Sequence, residues 1–260
     1  MTTVVQRQRY GAQAAASGRA AALAAVLRGA AALGLAEPEL RGLAALVRPG
    51  DVCFDIGAAY GMYSHVLAAL VGPRGVVHAV EPLPVPSRIL RAGAGITGGP
   101  IRVRTGAMGE AERAGRDLVL PVRFGLPIHG WAHLGGDAVR TPIRGRSLRL
   151  RVPVWTVDAL CAAEGIDRVR FLKIDVEGAE PAVLAGAAGT LERCRPTLQL
   201  EIEQRHLDRY GHRAGRFAAD LRERYGYGMF TWARGGWAPA DRIDPARRNY
   251  LFATEDAWNA

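Results

Sequence analysis

A glycine-containing segment framed by acidic residues has the residue types best suited to holding a ligand. Asp55 stands two residues before Gly57, and Gly61 follows at G-x-x-x-G spacing. Glu81 comes 24 residues after Gly57. Glycine lets the backbone bend sharply and approach a ligand closely, and a helix that follows it offers free N–H groups. Because an acidic side chain at the tip of the next strand can accept hydrogen bonds from sugar hydroxyls, the segment predicts a site for a nucleoside-containing cofactor.

Two cofactors compete for this segment, a nicotinamide dinucleotide and S-adenosylmethionine, and a turn without any ligand is the third alternative. A dinucleotide site requires G-x-G-x-x-G, and Ala59 occupies the position of its second glycine. The carboxylate of Asp55 would attract a cationic sulfonium and repel a pyrophosphate. The residues therefore favour S-adenosylmethionine, with a predicted binding set of Asp55, Gly57, Ala58, Tyr60, Gly61 and Glu81.

Two carboxylates farther along the chain are the first candidates for catalysis. Asp175 ends a predicted strand, and Glu201 lies near the end of the next one. Ligands bind at the carboxyl edge of open α/β sheets, so we expect the two side chains to converge there. They could orient a substrate hydroxyl or hold a divalent cation, because hard cations favour oxygen ligands. Two carboxylates alone do not specify a metal. Glu177 and Glu180 either serve the same site or offset the dipole of the following helix.

A histidine pair in a glycine-containing loop is the second candidate for catalysis. His129 and His133 flank Trp131, and together they could supply a base and an apolar platform for an acceptor molecule. Gly130 disfavours a helix that would align the two histidines on one metal. An ordinary surface loop is the competing interpretation. His206, which follows a predicted strand, is predicted to be exposed to solvent.

The elements that must position these residues alternate between strand and helix, as is typical of a doubly wound, mostly parallel sheet. The strands of this sheet are predicted at 52–56, 76–80, 101–107, 169–174 and 197–202. Two closing strands, one of them antiparallel, are predicted at 227–232 and 249–253. Helices are predicted from just after Gly61 to residue 71, around 87–91, and at 157–164, 179–193 and 217–225.

Two segments depart from this alternation. Residues 1–49 have a helical pattern and predict an N-terminal cap ahead of a single domain at 50–260. Strands at 118–123 and 148–154 frame a predicted antiparallel insertion at about 117–154, with a loop at 124–147. Loops of that length inside a compact domain often carry function.

Several stretches resemble the FkbM family of methyltransferases, in that family's order and over about residues 50–255. The stretches are residues 54–64, 79–82, 107–110, 156–160, 172–180 and 200–202, of which 173–180 is the most specific. The resemblance implies a class I methyltransferase fold and methylation of an oxygen nucleophile on a secondary metabolite or sugar. It also implies that Pro82, Ala107, Met108 and Asp175 bind the cofactor. The family usually has asparagine where this chain has Ala59.

The composition of the chain indicates which partners and which cellular compartment to expect. The formal charge is +9, but Lys173 is the only lysine, and a chain rich in arginine, alanine and glycine is typical of a GC-rich genome. Its three cysteines have no paired spacing and predict free thiols in a reducing compartment. No stretch resembles a membrane span, so a cytoplasmic protein is expected.

Three functions remain in competition. The first is O-methylation of a small-molecule hydroxyl. The second is methylation of RNA, suggested by Arg102, Arg104 and five arginines between 140 and 151, although no aromatic–basic RNA-binding module is present. Alternation within 149–152 favours a strand with one solvated face, which argues against a nucleic-acid partner. The third is a cofactor-binding protein without activity.

Overall fold

The computed structural model describes residues 18–124, 126–135 and 146–259. The first 17 residues and residues 136–145 of the predicted long loop, which include Arg140 and Arg144, lie outside the described residues. The described strands are β1 (Val52–Ile56), β2 (Val76–Val80), β3 (Ile101–Arg104), β4 (Ala107–Met108), β5 (Arg113–Arg123), β6 (Leu126–Pro127), β7 (His133–Leu134), β8 (Ser147–Trp155), β9 (Phe171–Ile174), β10 (Thr197–Glu201), β11 (Gly228–Ala233), β12 (Gly236–Pro239) and β13 (Asn249–Ala253).

Helices occupy the connections between most of these strands. The described α-helices are α1 (18–32), α2 (Met62–Val71), α3 (Pro84–Thr97), α4 (Val157–Glu164), α5 (Glu180–Ala185), α6 (Ala188–Cys194), α7 (Gln204–Leu207), α8 (Ala214–Tyr225) and α9 (Asp256–Asn259). Within the described ranges, no helix is both long enough and apolar enough to cross a bilayer.

The larger sheet is doubly wound and has eight strands in the order β3–β2–β1–β9–β10–β13–β11–β12. The first five strands of this order run parallel, and β13 is antiparallel to both of its neighbours. The chain starts at β1, moves outward to β3 and returns to β9 on the other side of β1, which creates a switch point at the carboxyl ends of β1 and β9. The predicted class I methyltransferase architecture is confirmed.

Apolar side chains cover both faces of this sheet, as parallel strands require. Cys53 and Phe171 pack on one face with α1, α2 and the segment before β1. Their neighbours Phe54 and Leu172 pack on the opposite face with α4, α5, α6 and α8. Because successive side chains of a strand point to opposite faces, each pair of neighbours contributes to two separate cores.

A second, smaller sheet is built mainly from β5 and β8, which pair antiparallel. Its apolar face includes Leu118, Leu120 and Val152, which pack with Leu83 just beyond the end of β2. This contact places the small sheet beside the carboxyl edge of the larger one. Arg149 lies on its solvated face.

The single strand predicted at 101–107 is wrong, because the chain divides there between the two sheets. β3 belongs to the larger sheet, whereas β4 pairs with β8. Gly106 lies at the crossing point, where an added Cβ would stand 2.5 Å from the ring of Trp155. Only glycine fits so close to that indole, so the sheets separate at this residue.

The single helix predicted at 179–193 is also wrong, because it is interrupted at Gly186 and Ala187. A Cβ at Gly186 would lie 2.1 Å from the carbonyl oxygen of Gly109. α6 then begins anew, and its first turn donates two backbone hydrogen bonds, from residues 189 and 190, to the carboxylate of Asp158 at 2.9 and 2.8 Å. The helix predicted around 87–91 is longer than expected and covers Pro84–Thr97.

The segment before β1 is less regular than predicted. After α1 it forms two short 3-10 helices, Pro38–Arg41 and Leu43–Ala45. Leu40, Leu43 and Val47 are buried and pack against α2. All three cysteines are free thiols, with Cys53 and Cys161 buried.

Candidate active site

A cavity of about 350 Å³ opens at the carboxyl ends of β1, β2, β9 and β10. This is the edge at which open α/β sheets bind ligands, and the volume lies within the range of small-molecule sites. The small sheet contributes Leu118 and Leu134 to its wall, and the segment before β1 contributes Glu37. Three parts of the chain therefore enclose one space.

Most of the residues predicted for the site come together around this cavity. Those that line it are Gly57, Tyr60, Glu81, Pro82, Ala107, Met108, His133, Asp175 and Glu201. Asp55, Ala58 and Gly61 stand behind the lining. The backbone of His129 begins a short 3-10 helix, and its side chain lies outside the described residues.

The turn after β1 owes its shape to close backbone packing. Gly57 has φ +80°, and a Cβ there would lie 1.8 Å from the carbonyl oxygen of Asp175. Because Gly57 has no side chain, the turn can pack against the end of β9. This packing places Asp175 at the cavity. Ala59 has φ +47°, a left-handed conformation that alanine rarely adopts and asparagine tolerates better. The asparagine usual in the family would therefore suit this backbone.

The side chain of Glu81 joins the end of β2 to this turn through a hydrogen bond. Its Oε2 accepts a hydrogen bond from the backbone N–H of Ala59, and its Oε1 accepts one from that of Leu83, both at 2.8 Å. Burial raises the pKa of Glu81 to about 7, although the two backbone hydrogen bonds act in the opposite direction. The carboxyl group is thus held rigidly at the cavity wall with lone pairs left for a ligand.

Asp55 lies beneath the turn, where it accepts a 2.5 Å hydrogen bond from the hydroxyl of Ser64. Burial raises its pKa to about 6, which the contact with Ser64 partly offsets. Asp55 is 2% exposed and is not among the residues that line the cavity. Its hydrogen bond with Ser64 joins the end of β1 to α2.

Asp175 and Glu201 converge as predicted and form a hydrogen-bonded pair. Burial and the neighbouring carboxylate of Asp175 raise the pKa of Glu201 well above its usual range. Burial alone would raise the pKa of Asp175, but the charge of Lys173 and the hydrogen bond with Glu201 outweigh this effect and lower the pKa.

Two cations flank this pair. Nζ of Lys173 donates to Oδ2 of Asp175 at 3.1 Å, and Lys173 is almost fully buried. The guanidinium of Arg248 forms an ion pair with Glu201 and a second one with Glu203. Sequence reasoning missed Arg248, because nothing in its neighbourhood along the chain indicates that β13 returns beside β10.

The segment before β1 supplies a carboxylate that sequence reasoning also missed. Oε2 of Glu37 accepts hydrogen bonds from the hydroxyl of Tyr63 at 2.7 Å and from the side-chain amide of Asn249 at 2.9 Å. The same hydroxyl accepts a 2.6 Å hydrogen bond from Gln199. Buried polar contacts thus tie this segment to the sheet and hold Glu37 at the cavity wall.

The histidines differ from their predicted settings. His133 is buried at the cavity, with Nδ1 3.1 Å from the carbonyl oxygen of Trp131. Burial lowers its pKa, so the ring is neutral at neutral pH. The prediction that His206 is exposed is wrong: only 3% of it is exposed, and its Nδ1 lies 2.8 Å from Oε2 of Glu177.

Glu180 has a structural position at the start of α5. Its Oε1 accepts hydrogen bonds from the backbone N–H groups of Val176 and Gly178, at 3.1 and 3.2 Å. Burial raises its pKa to about 7. It therefore stabilises the turn after β9, whereas Glu177 faces the cavity.

Comparison with known proteins identifies the domain. The family described as Methyltransferase FkbM domain matches residues 55–229. The 31-O-demethyl-FK506 methyltransferase FkbM of Streptomyces tacrolimicus is 33% identical over 158 residues, which are 54% of this chain and 60% of that protein. The match thus spans less than two thirds of that curated relative.

Solved structures include similar chains at lower identity. The FkbM methyltransferase of Methylobacillus flagellatus KT is 18% identical with a TM-score of 0.47, and the match covers 83% of this chain and 50% of that one. The fibrillarin of Aeropyrum pernix, solved with bound S-adenosylmethionine, is 16% identical with a TM-score of 0.43, covering 80% and 68%.

The matched range contains the turn after β1, Glu81, the pair of Asp175 and Glu201, and both sheets' contributions to the cavity. S-adenosylmethionine is the cofactor of this class of domain. The chain belongs to the FkbM family of S-adenosylmethionine-dependent methyltransferases.

Proposed function

We propose that this chain transfers the methyl group of S-adenosylmethionine to a hydroxyl oxygen of a small molecule. The observation that carries the proposal is the carboxyl group of Glu81, held at the cavity wall by two 2.8 Å backbone hydrogen bonds. A fixed carboxylate at the tip of the second strand suits the paired hydroxyls of a ribose.

The residues around the cavity fit this cofactor. Glu81 would hold the ribose, and Gly57 would let the backbone approach the amino acid portion closely. Ala107 and Met108 offer an apolar wall for the adenine. When bound, S-adenosylmethionine supplies a methyl group activated by a positively charged sulfur.

We call the opposite end of the cavity the acceptor end; it is formed by His133, Asp175 and Glu201. The ionised Asp175 would accept a hydrogen bond from the substrate hydroxyl and orient its oxygen. Methyl transfer turns the hydroxyl into an ether, so the hydroxyl proton would pass to a base of this chain. Alignment of this kind can lower the activation free energy by about 7–11 kcal/mol.

His133 is the residue that we assign as this base. Its Nδ1 faces a carbonyl oxygen, so the proton of the neutral ring resides on Nδ1 and Nε2 keeps a free lone pair. A general base of this kind typically contributes a factor of about 10²–10⁴ in rate.

The choice of oxygen as the nucleophile rests on the relative from Streptomyces tacrolimicus, whose name describes a substrate lacking a methyl group on oxygen. The choice of a small molecule rests on charge and size. Arg102 and Arg104, two of the arginines that suggested RNA, both form ion pairs with Glu164. The cavity volume of about 350 Å³ is that of a small-molecule site.

Methyl transfer from radiolabelled S-adenosylmethionine tests the proposal. The purified protein is incubated with a panel of hydroxylated small molecules, with the matching amines and with total RNA. We expect label on a hydroxylated compound, as an alkali-stable methyl ether. Label only on RNA, or only on amines, would overturn the proposed substrate class.

A further inference from the structure

A histidine and two carboxylates meet beside the acceptor end of the cavity. One ligand-type atom from each of Glu177, Glu201 and His206 lies within 4.8 Å of the others. The shortest separation, between Nδ1 of His206 and Oε2 of Glu177, is 2.8 Å. Ligands bound to a cation at about 2.0–2.2 Å lie about 3 Å apart when they are adjacent. The separation therefore matches two neighbouring positions of one coordination shell.

Glu177 provides an independent indication of a missing ligand. It is only 9% exposed, and the one polar side-chain atom recorded close to its Oε2 among the described residues is Nδ1 of His206, at 2.8 Å and without hydrogen-bond geometry. Within the same part of the chain, no lysine or arginine forms a salt bridge with its carboxylate. A buried carboxylate oxygen without a donor is unfavourable. A cation shared with His206 and Glu201 would remove that penalty.

The backbone holds Glu177 in this position. Its φ of +57° is left-handed, which is uncommon for a residue with a side chain. Gly178 follows with φ +105°, and a Cβ there would stand 2.3 Å from the carbonyl oxygen of His206. Arg209 donates a 3.1 Å hydrogen bond to the carbonyl oxygen of Glu177. The turn after β9 and the segment after β10 are thus packed against each other, and the three side chains are brought together before any ligand arrives.

We propose that Glu177, Glu201 and His206 bind one divalent transition-metal cation of the Mn²⁺ or Zn²⁺ class. An imidazole combined with carboxylates suits these cations better than Mg²⁺ or Ca²⁺, which prefer oxygen ligands alone. The site differs from the oxygen-only pair of Asp175 and Glu201 that the sequence suggested.

The position of the cation indicates its role, which rests on the proposed function. Glu177 and Glu201 both line the cavity, so the free coordination positions face the acceptor end. A cation there would bind the acceptor oxygen and favour loss of its proton, as a Lewis acid does. The metal would then orient the hydroxyl together with Asp175.

Direct binding of Mn²⁺ tests the site without any methyl donor. The full chain is stripped with a chelator, and Mn²⁺ is titrated by electron paramagnetic resonance, with Zn²⁺ competition as a second probe. We expect one saturable site, weakened at least tenfold in Glu177→Gln and in His206→Ala. The matched control is His212→Ala, an exposed histidine six positions away that should leave the affinity unchanged.

The outcomes separate the two proposals. Glu177→Gln preserves side-chain size, and circular dichroism verifies that each variant is folded. Absence of saturable Mn²⁺ and Zn²⁺ binding, or binding that both variants retain, would overturn the site. Methyl transfer that is equally fast with the chelator would overturn the catalytic role of the cation and leave the proposed function intact. Failure to transfer methyl at all, with cation binding present, would overturn the proposed function alone.

Discussion

Glu81 accepts a 2.8 Å hydrogen bond from the backbone N–H of Ala59, a residue 22 positions earlier in the chain. One carboxyl group thereby joins the tip of β2 to the turn after β1, and the same group faces the cavity. The shape of the turn and the binding of a sugar consequently depend on the same side chain.

Replacement of Glu81 should weaken cofactor binding. In Glu81→Gln the carboxylate that receives ribose hydroxyls is lost, and each charge-assisted hydrogen bond contributes about 1.5–3 kcal/mol. We expect the dissociation constant of S-adenosylhomocysteine, measured by calorimetry, to rise at least tenfold. The exposed Glu112→Gln is the matched control. Equal affinities in the two variants would count against the assignment of Glu81.

Cofactor affinity should depend on pH. Burial raises the pKa of Glu81 to about 7, and hydroxyl donors favour the ionised carboxylate. Binding should therefore strengthen as the pH rises through 7 and weaken below it. Calorimetric titrations between pH 5.5 and 8.5 measure the effect, with the pH range chosen at about 1.5 units on either side of the pKa. The Glu81→Gln variant should show a flatter profile, and a wild-type profile with the opposite slope would refute the prediction.

Conformational stability should fall as the pH rises through the same window. The pKa values of Glu81 and Glu180 are raised to about 7, so the folded state holds protons that the unfolded state has released. The contribution of these two groups to stability is then greatest below about pH 4.5, the pKa that they have in the unfolded chain. It decreases as the pH rises toward 7. Urea unfolding of Glu180→Gln should show a weaker decrease than the wild type. An equal decrease would mean that Glu180 is not protonated in the folded state.

Relief of the left-handed backbone at Ala59 should stabilise the fold. With φ +47°, an alanine carries strain that asparagine tolerates better. We expect Ala59→Asn to raise the free energy of unfolding by about 0.5–1 kcal/mol. Ala58→Gly is the matched control, because Ala58 is not among the residues with positive φ and glycine there should destabilise the fold. Destabilisation by asparagine would contradict this account of the turn.

Replacement of Asp175 should affect turnover more than cofactor affinity. Asp175→Asn retains a hydrogen-bonding side chain near Lys173 but lacks the charge that orients the acceptor hydroxyl. We expect turnover to fall by a factor of about 10², with less than a threefold change in affinity for S-adenosylhomocysteine. The exposed Asp167→Asn serves as control. Unchanged turnover in a folded Asp175→Asn protein would assign this residue a structural role only.

Local patterns were sufficient to predict the larger sheet and much of the cavity. The strands predicted at 52–56 and 197–202 are almost entirely buried, and the glycine at 57 lies at a turn, so the sequence indicates where the first of these strands ends. Asp175 and Glu201 were predictable because parallel strands bring their carboxyl ends to one edge.

Contacts between distant segments were not predictable. Gly106 and Gly186 interrupt elements only because Trp155 and Gly109 approach them from other parts of the fold. His206 has a polar neighbourhood in the sequence, yet it is buried against Glu177 by a turn that no local pattern reveals. Glu37 and Arg248 reach the cavity through the packing of the segment before β1 and of β13, which depends on the complete tertiary structure.

A crystal structure with bound S-adenosylhomocysteine would show whether Glu81 holds the ribose of the cofactor. We expect both ribose hydroxyls to lie within hydrogen-bond distance of Glu81 and the sulfur to point toward His133 and Asp175. Density for the ligand outside this cavity, or a ribose turned away from Glu81, would contradict this prediction.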